Sequence, residues 1–223
     1  MALYFSWDQK TIHEFSASFI NSLYNQGYVF TRIGKGVMNQ TRSLRVVLQN
    51  YQPNSENRRV LKKIPELQIE EMPLPIEQRD YDWQIHKMGK DFYTNKFADH
   101  LFSAAKIKEL VTDSSRSNFN LLMRFKIKEE IIGYVICYQD KNILHYAYPF
   151  YLFQKYPQNL GMSMMLKALE FSQLSGRQYF YLGSLTRPAD KYKLQFSGIE
   201  WFDQKNWQND LVEAKKQINV SGI

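Results

Sequence analysis

The stretch from residue 121 to residue 182 constrains the fold more than any other. Three runs rich in β-branched and aromatic residues, 121–127, 131–138 and 143–148, are separated by the polar turns Lys128-Glu129-Glu130 and Gln139-Asp140-Lys141-Asn142. Short apolar runs joined by tight polar turns predict three successive antiparallel strands. A loop bearing Pro149 and Pro157 leads into a helix predicted over 160–174, closed by Gly176, and Tyr179-Phe180-Tyr181-Leu182 returns as a further strand. Met162, Met164 and Met165 fall at helical spacing, which reads as core filler. Sheet, then helix, then strand predicts an α/β (α+β) architecture: a mixed, mostly antiparallel sheet flanked by helices.

The first half is less regular. A helix is predicted from an Asp8 cap, with Ile12, Phe15, Phe19, Ile20 and Leu23 on one face and Gly27 as its stop. Strand-like Tyr28-Val29-Phe30, a glycine-punctuated turn at 33–36 and a short strand over 44–48 follow. Ser55 caps a basic helix that runs through Lys63 and ends before Pro65. Residues 64–82 are acidic and carry Pro65, Pro73 and Pro75, which predicts a solvated extended connector. Two helices are expected over 82–112, a helical turn over 190–196 and a polar helix after Asn206. The expected organisation is a basic region over 1–75 and a second region over 76–223, packed as one compact unit.

Charge is distributed unevenly. Residues 32–63 hold eight basic side chains against the single acid Glu56, a balance of +7 that equals the formal net charge of the whole chain. Such a local potential attracts a polyanion; the bland alternative is the solvated face of a helix. No apolar run approaches the ~20 residues that cross a bilayer. The N-terminus has neither a basic leader nor a small-residue cleavage site, so no membrane partner and a cytoplasmic location are expected. The one cysteine, Cys137, lies in an apolar strand. It allows no intrachain disulfide or cysteine cage and reads as a buried, inert thiol. His13, His86, His100 and His145 show no helical pair, so no metal is expected. No Ser-His-Asp or Cys-His arrangement offers a covalent nucleophile.

Gln158-Asn159-Leu160-Gly161-Met162-Ser163 stands where the GNAT-like (GCN5-related) acyltransferase fold, which this strand and helix order resembles, places its anion-binding loop. The first N–H groups of a helix lack intrahelical partners and lie at the positive end of its dipole. An ordinary helix start and an anion site both remain open. Tyr179 to Ser184 is a strand entering a glycine turn, read either as two packed faces or as a tyrosine hydroxyl aimed into a cleft. Asp190-Lys191-Tyr192-Lys193 is either an exposed charged turn or a cationic and phenolic cluster.

Four words, in order, resemble arginyl-tRNA–protein transferases and their bacterial leucyl-transferring relatives. They are Val37-Met38-Asn39-Gln40-Thr41; the stretch from Tyr51 through Arg58-Arg59-Val60-Leu61-Lys62-Lys63; Leu160-Gly161-Met162-Ser163; and Tyr179-Phe180-Tyr181-Leu182-Gly183 followed by Lys191-Tyr192-Lys193 and Phe196. The resemblance implies a GNAT-like fold and attack of an acceptor's α-amine on the aminoacyl ester of charged tRNA. The acceptor is a protein with an acidic N-terminus, and no cofactor is needed beyond the aminoacyl-tRNA donor. It implies substrate or tRNA contacts from Lys35, Gln40, Thr41, Arg42, Arg58, Arg59, Lys62, Lys63, Gln158, Gly161 and Ser163. It implies a reaction cleft lined by Tyr181, Tyr192 and Lys193, with Asp190 as the candidate general base. The chain departs from the family at Arg42-Ser43, where a cysteine pair is expected, and at Ser184, where an aromatic usually follows the glycine. Two rivals stand beside this reading. One is an N-acyltransferase using acyl-CoA, its pyrophosphate on the amides after Gln158. The other is a non-enzymatic binder of RNA or acidic protein.

Overall fold

A computed structural model describes residues 5–97, 102–152 and 159–220. In chain order the elements are β1 (Asp8–Thr11), α1 (Ala17–Asn25), β2 (Tyr28–Phe30), β3 (Val37–Gln40), β4 (Ser43–Val47), α2 (Ser55–Lys63), β5 (Leu67–Pro73), α3 (Gln84–Lys96) and α4 (Ala104–Thr112). There follow β6 (Leu121–Ile127), β7 (Glu130–Gln139), β8 (Ile143–Tyr151), α5 (Leu160–Leu174), β9 (Tyr179–Ser184), a 3-10 run at Pro188–Gln195, β10 (Ile199–Phe202), β11 (Trp207–Gln208) and α6 (Leu211–Val220). The chain divides into two units. The first comprises 1–54, 140–145 and 172–223, and the second comprises 55–139 and 146–171. The boundary expected after residue 75 falls inside the second unit.

In the first unit, β1, β3 and β2 form a small antiparallel sheet with Thr11 opposite Val37 and Phe30 opposite Met38. The helix predicted from Asp8 is corrected here. Residues 8–11 are exposed and find their backbone hydrogen-bond partners on β3, so they extend. The helix begins only at Ala17, where the Ser16 hydroxyl accepts from the Phe19 amide at 3.4 Å. A larger sheet of mixed sense runs β11-β10-β4-β9 and on to the first residues of β8. β9 is antiparallel to β4 and parallel to β8, with His145 beside Tyr181. Leu44, Val46, Phe180 and Ile199 are buried in this unit.

The charged exception on β4 is Arg45, which is also buried. Its guanidinium lies 4.1 Å from the Tyr179 ring centroid and 4.0 Å from that of Trp207. Nε donates to Glu200 at 2.8 Å, and one terminal nitrogen donates to Asn25 Oδ1 at 3.0 Å and to the Tyr181 hydroxyl at 3.5 Å. A charge can sit in such a place only when paired and hydrogen-bonded this fully.

In the second unit β5, β6 and β7 form an antiparallel run, with Leu67 opposite Ile127 and Leu121 opposite Cys137. Residues 146–151 of β8 continue it, and the Leu152 amide donates to the Ile132 carbonyl at 2.9 Å. The predicted acidic connector is thus corrected to a strand over 67–73. Glu70, opposite Arg124, accepts from Arg124 Nε at 2.6 Å and from Lys126 Nζ at 3.2 Å. β5 ends the sheet order, and charged side chains on an edge strand discourage further pairing. α3 and α4 stand where two helices were predicted. Met164 and Met165 on α5 are buried, as is Cys137. Successive strands β6, β7 and β8, then a helix, then a strand parallel to β8 give the mixed α/β order expected from the sequence. No helix of the described residues is long and apolar enough to cross a membrane.

Candidate functional site

Three of the polar residues that the first unit buries, His145, Ser184 and Asp190, belong to β8, to the end of β9 and to the 3-10 run that follows it. β8 enters as Ile143-Leu144-His145, and His145 is buried among apolar neighbours. Its Nδ1 lies 2.9 Å from the Tyr24 hydroxyl, which accepts from the Phe30 amide at 3.4 Å. Burial, then the nearby Lys193 charge, lowers the His145 pKa to about 3, so the ring is neutral at physiological pH. The Tyr24 ring packs edge-on against Tyr181 at 4.8 Å and against His145 at 5.7 Å.

β9 then turns at Gly183, whose φ of +72° favours a residue without Cβ. The turn is held by the 3-10 run that follows. Lys193 Nζ donates to the Ser184 carbonyl at 2.9 Å and lies 3.4 Å from Asp190 Oδ1. Asp190 Oδ2 accepts from the backbone amides of Arg187 at 2.9 Å and Thr186 at 3.2 Å. Burial pushes the Asp190 carboxyl upward, but the Lys193 and Arg187 charges and the Arg187 amide outweigh it and hold it below its usual value. Asp190, the candidate general base of the sequence, thus stands in this turn tied to two backbone amides and beside Lys193. Tyr181 is fully buried, with its hydroxyl accepting from Arg45, and burial pushes its pKa up to about 12. Tyr192 is 45% exposed and presents its ring at the surface.

Four other candidates also lie in this unit. Lys35 is exposed, with Nζ 4.8 Å from the Phe15 ring centroid. Gln40 Nε2 donates to the Gln26 carbonyl at 2.9 Å, and the Thr41 hydroxyl donates to the Phe5 carbonyl at 2.8 Å. Arg42 is buried, its guanidinium 4.3 Å from the Phe5 ring centroid, and burial pushes its pKa down.

The second unit holds the rest. On α2, Arg58, Arg59, Lys62 and Lys63 are exposed while Asn57 and Val60 are buried. Spacings of one, four and five residues put the four cations within one stripe of the helix. Arg59 donates to Glu56 at 2.7 and 2.6 Å. At the start of α5, a Cβ on Gly161 would stand 2.5 Å from the Tyr151 hydroxyl, so glycine is required there for close packing. That hydroxyl also accepts from Lys96 Nζ at 3.0 Å. The Ser163 Oγ is buried with no hydrogen-bond partner among the described residues. Gln158 lies outside the described residues. No cluster of three metal-ligating side chains occurs among the described residues.

Sequence reasoning passed over Tyr24 and over the role of His145. The available signal was a histidine inside the apolar run Ile143-Leu144-His145-Tyr146. No local pattern could name its partner, 121 residues away.

No family model and no curated protein matches this chain. Among solved structures it is similar to L-PGS from Bacillus licheniformis, with 11% identity and a TM-score of 0.47 over 75% of this chain and 52% of that one. It is similar to the C-terminal domain of a putative lysylphosphatidylglycerol synthetase from Agrobacterium fabrum, with 10% identity and a TM-score of 0.47 over 76% of this chain and 51% of that one. It is also similar to a GCN5-related glucosamine N-acetyltransferase region of a fungal multi-domain GH3 β-N-acetylglucosaminidase, with 11% identity and a TM-score of 0.47 over 86% of this chain and 22% of that one. The chain spans about half the length of the first two.

Proposed function

We propose that this chain is an acyl-group transferase that moves an aminoacyl group from charged tRNA to the N-terminal amine of an acceptor protein, one with an acidic first residue. The observation that carries the donor class is the exposed cationic stripe of α2, where a flexible polyanion can be met without desolvating buried charge. The reaction is aminolysis of an ester. The amine nitrogen attacks the carbonyl carbon, the bond from that carbon to the ribose oxygen breaks, and the amine's proton leaves on that oxygen. An amide and uncharged tRNA result. The reaction is downhill, so positioning and charge suffice and no covalent enzyme intermediate is required. Arg58, Arg59, Lys62 and Lys63 serve as phosphate contacts. Lys193 and Asp190 hold the Gly183-Ser184 turn, with the Tyr192 ring at its surface.

An acyl-CoA donor is the second reading. It is favoured by the start of α5, where the buried Ser163 hydroxyl stands one turn into a helix. Thermal shift separates the two, because a ligand that prefers the folded state raises its apparent stability. Charged tRNA is expected to stabilise the protein and acyl-CoA to leave it unchanged. Incubation with mixed charged tRNAs and a peptide bearing N-terminal Asp or Glu is then expected to give a product heavier by one aminoacyl residue. A protein that binds tRNA yet yields no such product is a binder and not a transferase. Stabilisation by acyl-CoA alone selects the second reading.

A further inference from the structure

The first unit also contains a cleft of about 450 Å³ that no step of the transfer uses. Its walls include two indoles, Trp7 and Trp201, and three carboxylates, Asp203, Asp210 and Glu213, against the single cation Arg42. In a chain of formal net charge +7, this is a local reversal of sign. Asp203 and Asp210 are fixed by backbone amides, and Glu213 accepts from Gln217 Nε2 at 2.8 Å with Lys216 Nζ 3.5 Å away. Asp203 Oδ1 accepts from the backbone amides of Asn206 at 2.7 Å and Lys205 at 2.8 Å, and Oδ2 accepts from Gln208 Nε2 at 2.7 Å. Asp210 Oδ1 accepts from the Val212 amide at 2.9 Å and the Glu213 amide at 3.1 Å, and its backbone carbonyl accepts from Trp201 Nε1 at 3.0 Å. Trp7 is half-buried, with the Arg42 guanidinium 6.0 Å from its ring centroid, and Trp201 is buried.

We infer that this cleft binds an alkylammonium ligand, an apolar carbon chain ending in a protonated amine. The volume suits a small organic molecule. Pre-set carboxylates supply the charge partner, and the half-buried Trp7 side chain covers the methylene stem. A neutral chain of equal length lacks the first interaction, and a dicarboxylate is repelled by it. The inference is independent of the donor in the transfer reaction, and its test uses no tRNA.

The experiment titrates the whole protein with 1,5-diaminopentane at constant ionic strength, followed by tryptophan fluorescence and thermal shift. 1,5-Pentanediol and pentanedioate are the matched controls. Saturable binding of the diamine is expected, at least tenfold tighter than either control. The double variant Asp210→Asn, Glu213→Gln keeps the capping and helix hydrogen-bond geometry. It is expected to weaken diamine binding tenfold or more with an unchanged circular dichroism spectrum. If that variant does not fold, Glu213→Gln alone carries the comparison and is expected to weaken binding severalfold. Absence of saturable diamine binding overturns the inference, as does diol binding of equal strength. Tighter binding of pentanedioate gives the cleft to Arg42 and overturns it as well. So does unchanged affinity in a folded variant.

Discussion

Arg45 and Arg59 are each paired with a glutamate, and the two pairs have opposite characters. The Arg45–Glu200 side chains are 9% and 27% exposed, and those of Arg59–Glu56 are 56% and 49% exposed. Arg45 is a member of the sheet, held between two aromatic rings and three hydrogen-bond acceptors. Arg59 holds one neighbour on the same helix and otherwise faces solvent. Losing a buried partner strands a charge, whereas an exposed pair is screened and contributes little. The same residue type is therefore structural in one unit and open to a ligand in the other.

The largest test of this contrast is acid titration. His145 is buried and neutral, with a folded pKa of about 3 against an ordinary value of 6.5. As pH falls below 6.5 the unfolded chain takes up a proton that the folded chain refuses, so stability is lost through that window. The loss is about 1.4 kcal/mol per pH unit, on the order of 4 kcal/mol by the bottom of the window. His145→Gln is expected to flatten the stability profile between pH 6.5 and 4, measured by urea denaturation. Asp190 has the same sign at lower pH: its carboxyl is held below the usual range, and its contribution is lost as pH falls through the folded pKa. The variant should therefore still destabilise below pH 4.

Arg45→Ala is next, with an expected loss of about 3 kcal/mol from the unpaired Glu200 and the lost stacking. A shift in the denaturation midpoint measures it, and a loss below 1 kcal/mol would place Arg45 with Arg59. Tyr24→Phe removes only one hydroxyl but leaves His145 Nδ1 and the Phe30 amide without it. It should cost about 1–2 kcal/mol. Neutralising the α2 stripe, Arg58→Gln, Arg59→Gln, Lys62→Gln and Lys63→Gln together, is expected to leave the melting temperature nearly unchanged. In the proposed function it should reduce the slope of log affinity for tRNA against log salt by about 3 to 4, which is roughly 0.7–0.9 for each of four lost phosphate contacts. An unchanged slope would detach α2 from tRNA.

Much of the second unit was legible in the sequence. β6, β7, α5 and α2 announce themselves by apolar runs with tight turns or by a capped helical period. β1, β5, β10 and β11 were not. Asp8-Gln9-Lys10-Thr11 is polar throughout, and the acids of β5 look like a solvated linker until Arg124 and Lys126 stand opposite Glu70. Short edge strands form because a neighbour offers them backbone partners, and that neighbour is remote in the chain. At the candidate site the sequence pointed to Asp190, Tyr181 and Lys193. It did not reveal that Asp190 is tied to backbone amides or that Tyr181 points at Arg45.

By itself, the sequence determined the order β6, β7, β8, α5 and β9, the burial of Cys137 and the cationic character of α2. These follow from periodicity and from charge counted along a short window. Tertiary structure alone decided that Tyr24 meets His145, that Arg45 is enclosed, and that Asp203, Asp210 and Glu213 share a cleft with two tryptophans. Those contacts join residues whose separation along the chain carries no signal, and only packing brings them within a few ångströms.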